Sequence, residues 1–394
     1  MTLVARTRRL DRDVDLLAVA GRAGVVFEQH GCGFAGRGEA LRIPSTDDVA
    51  AALAGIEVDD EVGLPGTGPV AFGALPFQGS APFLVPAIVV GKADDGTRWV
   101  TIVGADEAEP TLLADDVPIA PPSTFTVRPV RPPSVWCDAV ADAVARMQSG
   151  ALEKVVLARE IAVHADGPID VVEVLRRLRA AYPTAFVFSV DGFLGASPEL
   201  LVSRMGDVVR SQPMAGTTPR TGDPGTDSRL AASLLASAKD RGEHQITIDT
   251  VLDALLPFCS YVDSEPEPSI VALANVQHLA SLCEGRLSSP PASVLALVEA
   301  LHPTPAVCGF PRAAALAEIA RLEGFDRGRY AGTVGWVDRH GNGRFAVSIR
   351  CAEIDGPNAR LVAGNGIVAD SDPITELAET RAKLNALLSA LVRP

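Results

Sequence analysis

The chain has 394 residues, 47% of them hydrophobic and 21% charged, a globular composition with enough apolar material for a sizeable core, so disorder is excluded as its main state. Lys plus Arg total 35 against 49 for Asp plus Glu, and the net charge of -14 sets up a field that repels phosphate backbones and anionic lipid. Neither a nucleic acid nor a membrane surface is expected as a partner.

Met1 to Asp15 is studded with Arg and Asp, and no apolar stretch of signal-peptide length follows it. The best membrane candidate, Pro82 to Val90, is broken by Pro86 and falls short of the roughly 20 residues a bilayer needs. The cysteines (Cys32, Cys137, Cys259, Cys283, Cys308, Cys351) show no CxxC or other metal-ligand spacing. Together these features predict a cytoplasmic protein with reduced thiols. Of the 35 basic residues only four are lysines, Lys92, Lys154, Lys239 and Lys383. An amine can give up its proton where a guanidinium cannot, so each Lys in an Arg-rich chain raises the question of chemistry.

In chain order, Val25 to Phe27 and Trp99 to Val103 alternate with turn residues and predict a sheet-rich N-terminal subdomain over residues 1–125 of a single large domain, 1–394. Gly31-Cys32-Gly33-Phe34-Ala35-Gly36 matches GxGxxG after a strand, but Arg37 to Pro44 has no helical period. A loop or hairpin is therefore expected there, not a dinucleotide site. The Pro-rich stretch from Pro121 to Pro133 has the composition of an extended connection to a catalytic region, 135–394.

Ser134 to Ser149 reads as a helix, Lys154 to Val163 as a strand and Val171 to Ala181 as a helix. Ala185 to Val190 and Phe193 to Ser203 read as strands across an Asp191-Gly192 turn, and Thr226 to Leu256 as one long helix with Gly242 inside it. Further hairpins turn at 340–343 and 355–358, joining the runs Tyr330–Val337, Arg344–Glu353 and Ala359–Ala363. Strands joined by tight turns are antiparallel, which argues against a doubly wound parallel sheet. In the last helix, Ile374 to Leu391, an apolar stripe of Leu377, Leu384, Leu388 and Leu391 adjoins a stripe of Glu376, Glu379 and Lys383. By spacing alone the second stripe reads first as a solvated face with a Glu-to-Lys pair, the commonest meaning of such spacing.

Six segments carry more specific information: Leu152 to Arg159; Gly195-Ala196-Ser197-Pro198-Glu199; Asp240-Arg241-Gly242-Glu243-His244; His302-Pro303-Thr304-Pro305-Ala306; Ser348-Ile349-Arg350-Cys351-Ala352; and Gly364 to Pro373. In this order, closing with Glu376, Glu379 and Lys383, they strongly resemble the chorismate-utilising enzymes, whose members make isochorismate, salicylate, anthranilate and aminodeoxychorismate. The resemblance covers Cys137 to Leu391. It implies an α/β architecture of α+β type, with two facing antiparallel sheets, helices packed outside and a cleft between sheet and helices.

The resemblance also implies the site. Chorismate carries two carboxylates and a ring hydroxyl that must leave as a nucleophile adds, so one carboxylate needs a cation, the hydroxyl a proton, and the nucleophile a base. Glu243 and Glu379, with Glu376 beside them, match ligands of Mg2+. Glu199 matches the general acid and Lys154 the general base that deprotonates water. Arg350, predicted in a strand, matches the grip on a substrate carboxylate, with Lys383 adding local positive charge. Gly216, Thr217 and Gly364 match positions where backbone amides approach substrate. His278 resembles a histidine near the reacting ring, although a lone histidine reads equally as a core residue.

Water as the nucleophile implies no glutamine amidotransferase partner, and a monomer is expected. Ala306 resembles the isochorismate-type choice, while Val307 and Tyr330 stand where Leu and Phe are expected, and Tyr330 is shared with the salicylate type. The expectation is an isochorismate synthase activity whose product is common to menaquinone, siderophore and salicylate routes. Salicylate synthesis is the alternative, and a catalytically silent chorismate binder, whose signature would be loss of Lys154, Glu199, Glu243 or Glu379, is the third reading.

Overall fold

The structure is a computed structural model that describes residues 3–104, 111–150, 152–273 and 276–392. Two large sheets, of thirteen and nine strands, face each other, and a third of three strands lies beside them. Alternation along each strand sorts side chains between two cores. In Val25–Gln29, Val25 and Phe27 enter the core between the sheets while Val26 faces the helices. Phe34 and Trp99 of the larger sheet meet Phe72 and Trp336 of the smaller in the first core. The second core, on the outer face of the larger sheet, takes Leu175 and Leu178 of the Val171–Ala181 helix and Leu384, Leu387 and Leu391 of the Pro373–Leu391 helix.

Among the described residues, pairing is antiparallel except that Val4–Arg9 runs parallel to Glu57–Asp60. The N-terminal residues do not form a sheet of their own. Val25–Gln29 pairs with Phe186–Val190, and Val70–Leu75 pairs with Thr333–Asp338, so both large sheets run through the whole chain. The GxGxxG segment is a hairpin, with Gln29 opposite Cys32. The Pro-rich stretch is not simply an open connection: Phe125–Pro129 forms an edge strand against Lys154–Ala165. Proline is tolerated there because an edge strand has an unpaired side.

Three corrections bear on the site. The stretch read as one helix is two, Pro224–Ala236 and Ala238–Leu255, separated by Ser237 in extended conformation. Ser237 Oγ accepts the Asp240 N–H at 3.2 Å, capping the second helix, and such local side-chain bonds compete with continued helix. Phe193–Ser203 is likewise two strands, Phe193–Ser197 in the larger sheet and Leu200–Met205 in the smaller. Finally, Arg350 is not in a strand. It lies in the break between Gly343–Val347 of the smaller sheet and Cys351–Asp355 of the larger, with φ of 53°.

The last two breaks are one feature. The two chain segments pair with each other in both sheets, Gly195 opposite Cys351 and Leu200 opposite Ala346. They stay bonded across the gap, the Val347 N–H donating to Glu199 O at 3.0 Å and the Ala196 N–H to Arg350 O at 3.1 Å. A two-stranded ribbon thus passes from one sheet to the other, and Glu199 and Arg350 sit at its crossing.

Candidate active site

A cavity of about 270 Å3 opens beside this crossing, between the Lys154–Ala165 and Asn358–Ile367 strands and the helices Ala238–Leu255 and Pro373–Leu391. Every residue that the resemblance places in the site lines it: Lys154, Glu199, Gly216, Thr217, Glu243, His278, Ala306, Tyr330, Arg350, Gly364, Glu376, Glu379 and Lys383. Three of the lysines, Lys154, Lys239 and Lys383, share this cavity, whereas Lys92 pairs with Asp13 at 2.6 Å.

Lys154 opens its strand, and its ammonium lies 2.5 Å from Glu243 Oε1 on the facing helix. Gly366, on the neighbouring strand, makes the room: a Cβ there would come within 2.9 Å of Lys154 Cε. Glu199 is 4% exposed. Burial pushes its carboxyl up to about 8, against the opposing pull of the Met214 amide and the Lys154 charge, so it holds its proton at neutral pH.

His278 belongs to the three-stranded sheet, opposite Thr217, whose hydroxyl lies 3.0 Å from Nδ1. Burial, reinforced by the charges of Arg350 and Lys383, pushes the imidazole down to about 3, so the ring is neutral. Its Nε2 lies 3.5 Å from Arg350 Nη2. A guanidinium only donates, so Nε2 is the acceptor and the ring hydrogen sits on Nδ1. The other terminal nitrogen of Arg350, Nη1, is buried with no hydrogen-bond partner among the described residues. Orphaned buried donors are rare, and this one, at the wall of a cavity, suits an anionic oxygen.

On the last helix Lys383 donates to Glu379 Oε1 at 2.8 Å and to Asn365 Oδ1 at 2.7 Å. Glu379 ends below the usual carboxylate range, because Lys383, Asn365 and Arg350 outweigh the burial that pushes it up. Glu376 is pushed up, mainly by burial and further by Glu379, although Ser371 Oγ donates to it at 2.7 Å and Asn365 Nδ2 also bonds it. Asn365 thereby ties Lys383 to Glu376. Sequence reading passes over it, although it sits inside the Gly364-Asn365-Gly366 motif, because an amide carries no charge to mark it.

No group of three or more His, Cys, Asp or Glu side chains within metal-holding reach occurs among the described residues. Glu243 and Glu379 are held by lysines, and Glu376 by Asn365 and Ser371. The donor chemistry nevertheless fits Mg2+. That ion takes one or two hard carboxylates and fills its remaining positions with water and substrate oxygen, so a closed three-residue cage is not required.

The model of the chorismate binding enzyme family matches residues 46–392. The isochorismate synthase DhbC of Bacillus subtilis (strain 168) is 40% identical over 336 residues, 82% of this chain and 81% of the relative. The isochorismate synthase MenF of the same organism is 35% identical over 355 residues, 82% of this chain and 75% of the relative. Among solved structures, MenF, the menaquinone-specific isochorismate synthase from Escherichia coli, is similar with a TM-score of 0.85 and 25% identity, covering 99% of this chain and 95% of that one. The two facing sheets, the cleft and these matches lead to one conclusion: the chain belongs to the chorismate-binding enzyme family.

Proposed function

We propose that the chain converts chorismate to isochorismate, adding water at ring carbon 2 while the hydroxyl at carbon 4 leaves. The observation that supports this most is the meeting, in one cavity, of a carboxyl that keeps its proton at neutral pH, a buried lysine and a buried guanidinium nitrogen with no partner. Lys154, as the free amine, takes a proton from the attacking water as its oxygen bonds carbon 2. The ring double bonds shift, the carbon 4–oxygen bond breaks, and Glu199 gives its proton to the departing hydroxyl. One water enters and one leaves, so the composition of the substrate is unchanged.

Arg350 holds a substrate carboxylate with Nη1 and is itself oriented by neutral His278 through Nη2. Gly216 adopts φ of 75°, a conformation glycine permits, and with Thr217 and Gly364 it brings backbone close to the substrate. Glu243 and Glu379, with Glu376 beside them, would hold Mg2+, which would supply a hard positive charge to polarise the ring carboxylate. The cavity also answers the electrostatic objection to a dianionic substrate. It gathers Lys239, Arg350 and Lys383, Glu199 there is protonated, and a bound Mg2+ would add positive charge, in a chain of net charge -14.

Purified protein given chorismate and Mg2+ is expected to release isochorismate, with EDTA lowering turnover by at least ~100-fold and Mg2+ restoring it. Pyruvate formed in step with chorismate consumption would replace this reading with salicylate synthesis, and binding without turnover would replace it with a silent binder. Turnover unaffected by EDTA would remove the metal. A second test concerns the room for Lys154. In Gly366→Ala the new methyl meets the mobile end of the lysine and not backbone, so the fold should persist while the base is displaced. Turnover is expected to fall by ~10- to 100-fold with a melting midpoint within ~2 °C of the parent, and an unchanged rate would contradict the role given to Lys154.

A further inference from the structure

Behind the wall of the cavity that carries Ala306, Val307 and Tyr330 lies an ion pair the mechanism above does not use. Arg327 and Glu323 are each 2% exposed. Arg327 Nε donates to Glu323 Oε2 at 2.9 Å and Nη2 to Glu323 Oε1 at 2.5 Å. The remaining donor capacity goes to backbone: Nη1 reaches Val307 O at 2.8 Å and Nη2 reaches Val156 O at 2.7 Å. Glu323 Oε1 in turn accepts the Ala158 N–H at 2.7 Å. The guanidinium also lies over the Phe77 ring at 4.3 Å and 6.0 Å from the centroid of the Tyr330 ring.

A buried pair of this kind is weak as a stability device, because desolvating two charges costs about as much as their attraction returns. What it does supply is position. Val156 lies two residues from Lys154 on the same strand, and Val307 follows Ala306 in the turn after the Val294–Leu301 helix. Val156, Val307 and Tyr330 all line the cavity. Two separate stretches of the cavity wall, at Val156 and Val307, are therefore tied to one planar guanidinium, which Glu323 fixes from behind and which lies 6.0 Å from the Tyr330 ring of a third.

We propose that the Glu323–Arg327 pair is a positioning element that sets the product, holding the Val156, Val307 and Tyr330 wall so that isochorismate leaves before it loses its side chain. The inference rests on the isochorismate reading above. The competing step breaks the bond between ring carbon 3 and the enolpyruvyl oxygen and moves the hydrogen of carbon 2 to the side-chain methylene. Its products, salicylate and pyruvate, together have the composition of isochorismate, so no other reactant is needed. It requires the side chain to fold over the ring, and a wall pinned at Val156 and Val307 leaves the ring in the pose for water addition.

The test is the ratio of pyruvate to isochorismate formed from chorismate. That ratio does not depend on what fraction of the enzyme is folded, so a merely structural defect leaves it unchanged. Arg327→Lys keeps the charge opposite Glu323 but replaces the planar fork with a point charge that cannot reach both carbonyls while holding the carboxylate. The ratio is expected to rise about ten-fold over the parent, within the range that small changes of pocket fit produce. The double variant E323L/R327M, which removes both buried charges together, avoids an unpaired charge if the single variant does not fold, and should raise the ratio likewise. A parent-like ratio in a folded variant overturns the proposal. So does failure of both variants to fold, since the pair is then a folding element. Should the parent itself make no isochorismate, it is the proposed function that fails.

Discussion

Replacing Lys154 with Ala lowers turnover of chorismate by ~10³-fold or more, the scale of a lost general base. The more telling variant is Lys154→Arg. The side chain stays cationic and can still pair with Glu243, whose Oε1 lies 2.5 Å from the native ammonium, so an electrostatic or structural role would survive the change. A guanidinium does not surrender its proton, so a role as base would not survive. The expected result is near-equal loss in the two variants, measured as kcat with isochorismate separated from chorismate. Arg retaining more than about a tenth of parental turnover would exclude Lys154 as the base.

Glu199→Gln is expected to cost ~10²- to 10⁴-fold in turnover at pH 7 and, unusually for a buried site, to stabilise the fold at alkaline pH. Burial lifts the carboxyl from its ordinary 4.5 to about 8. Between those values the native chain holds a proton that the unfolded chain has released. The group's contribution to stability is therefore complete below the unfolded value and is lost as pH rises through about 8. Each unit of the interval is worth about 1.4 kcal/mol. Gln resembles the protonated form and has nothing to release, so urea unfolding of the parent should weaken across this interval relative to the variant. Parental turnover should also fall on the alkaline side of about 8 as the acid ionises. Parallel stability profiles for the two proteins would mean that Glu199 does not carry the proton assigned to it.

What was legible in the sequence follows from the range of the forces involved. The Val171–Ala181 helix and the Asp191-Gly192 hairpin are written in local period and turn chemistry, and both occur where expected. The Ser237 break is equally local, but a single capping hydroxyl within a long helical pattern is a weaker signal than the pattern around it. The crossings at Glu199 and Arg350 have no local signature beyond Pro198, because a strand that changes sheets keeps its alternation. The facing of the two sheets could not be read from period at all and came only through resemblance. Within the site, the charged members are recognisable from their motifs. Asn365 and the Glu323–Arg327 pair are not, because their importance lies in which backbone and side-chain atoms they join across the fold.

The ribbon that passes between the sheets makes the proposed acid, Glu199, and the proposed carboxylate grip, Arg350, a single mechanical jaw. Glu199 and Arg350 are joined through Val347 and Ala196 by main-chain bonds, so neither can shift without carrying the other. The opposing jaw is made differently, from side chains projected by two separate helices, Glu243 on Ala238–Leu255 and Glu376, Glu379 and Lys383 on Pro373–Leu391. On this reading, tolerance for a differently shaped ring acid comes from the helical side, while the backbones that carry Glu199 and Arg350 keep their spacing.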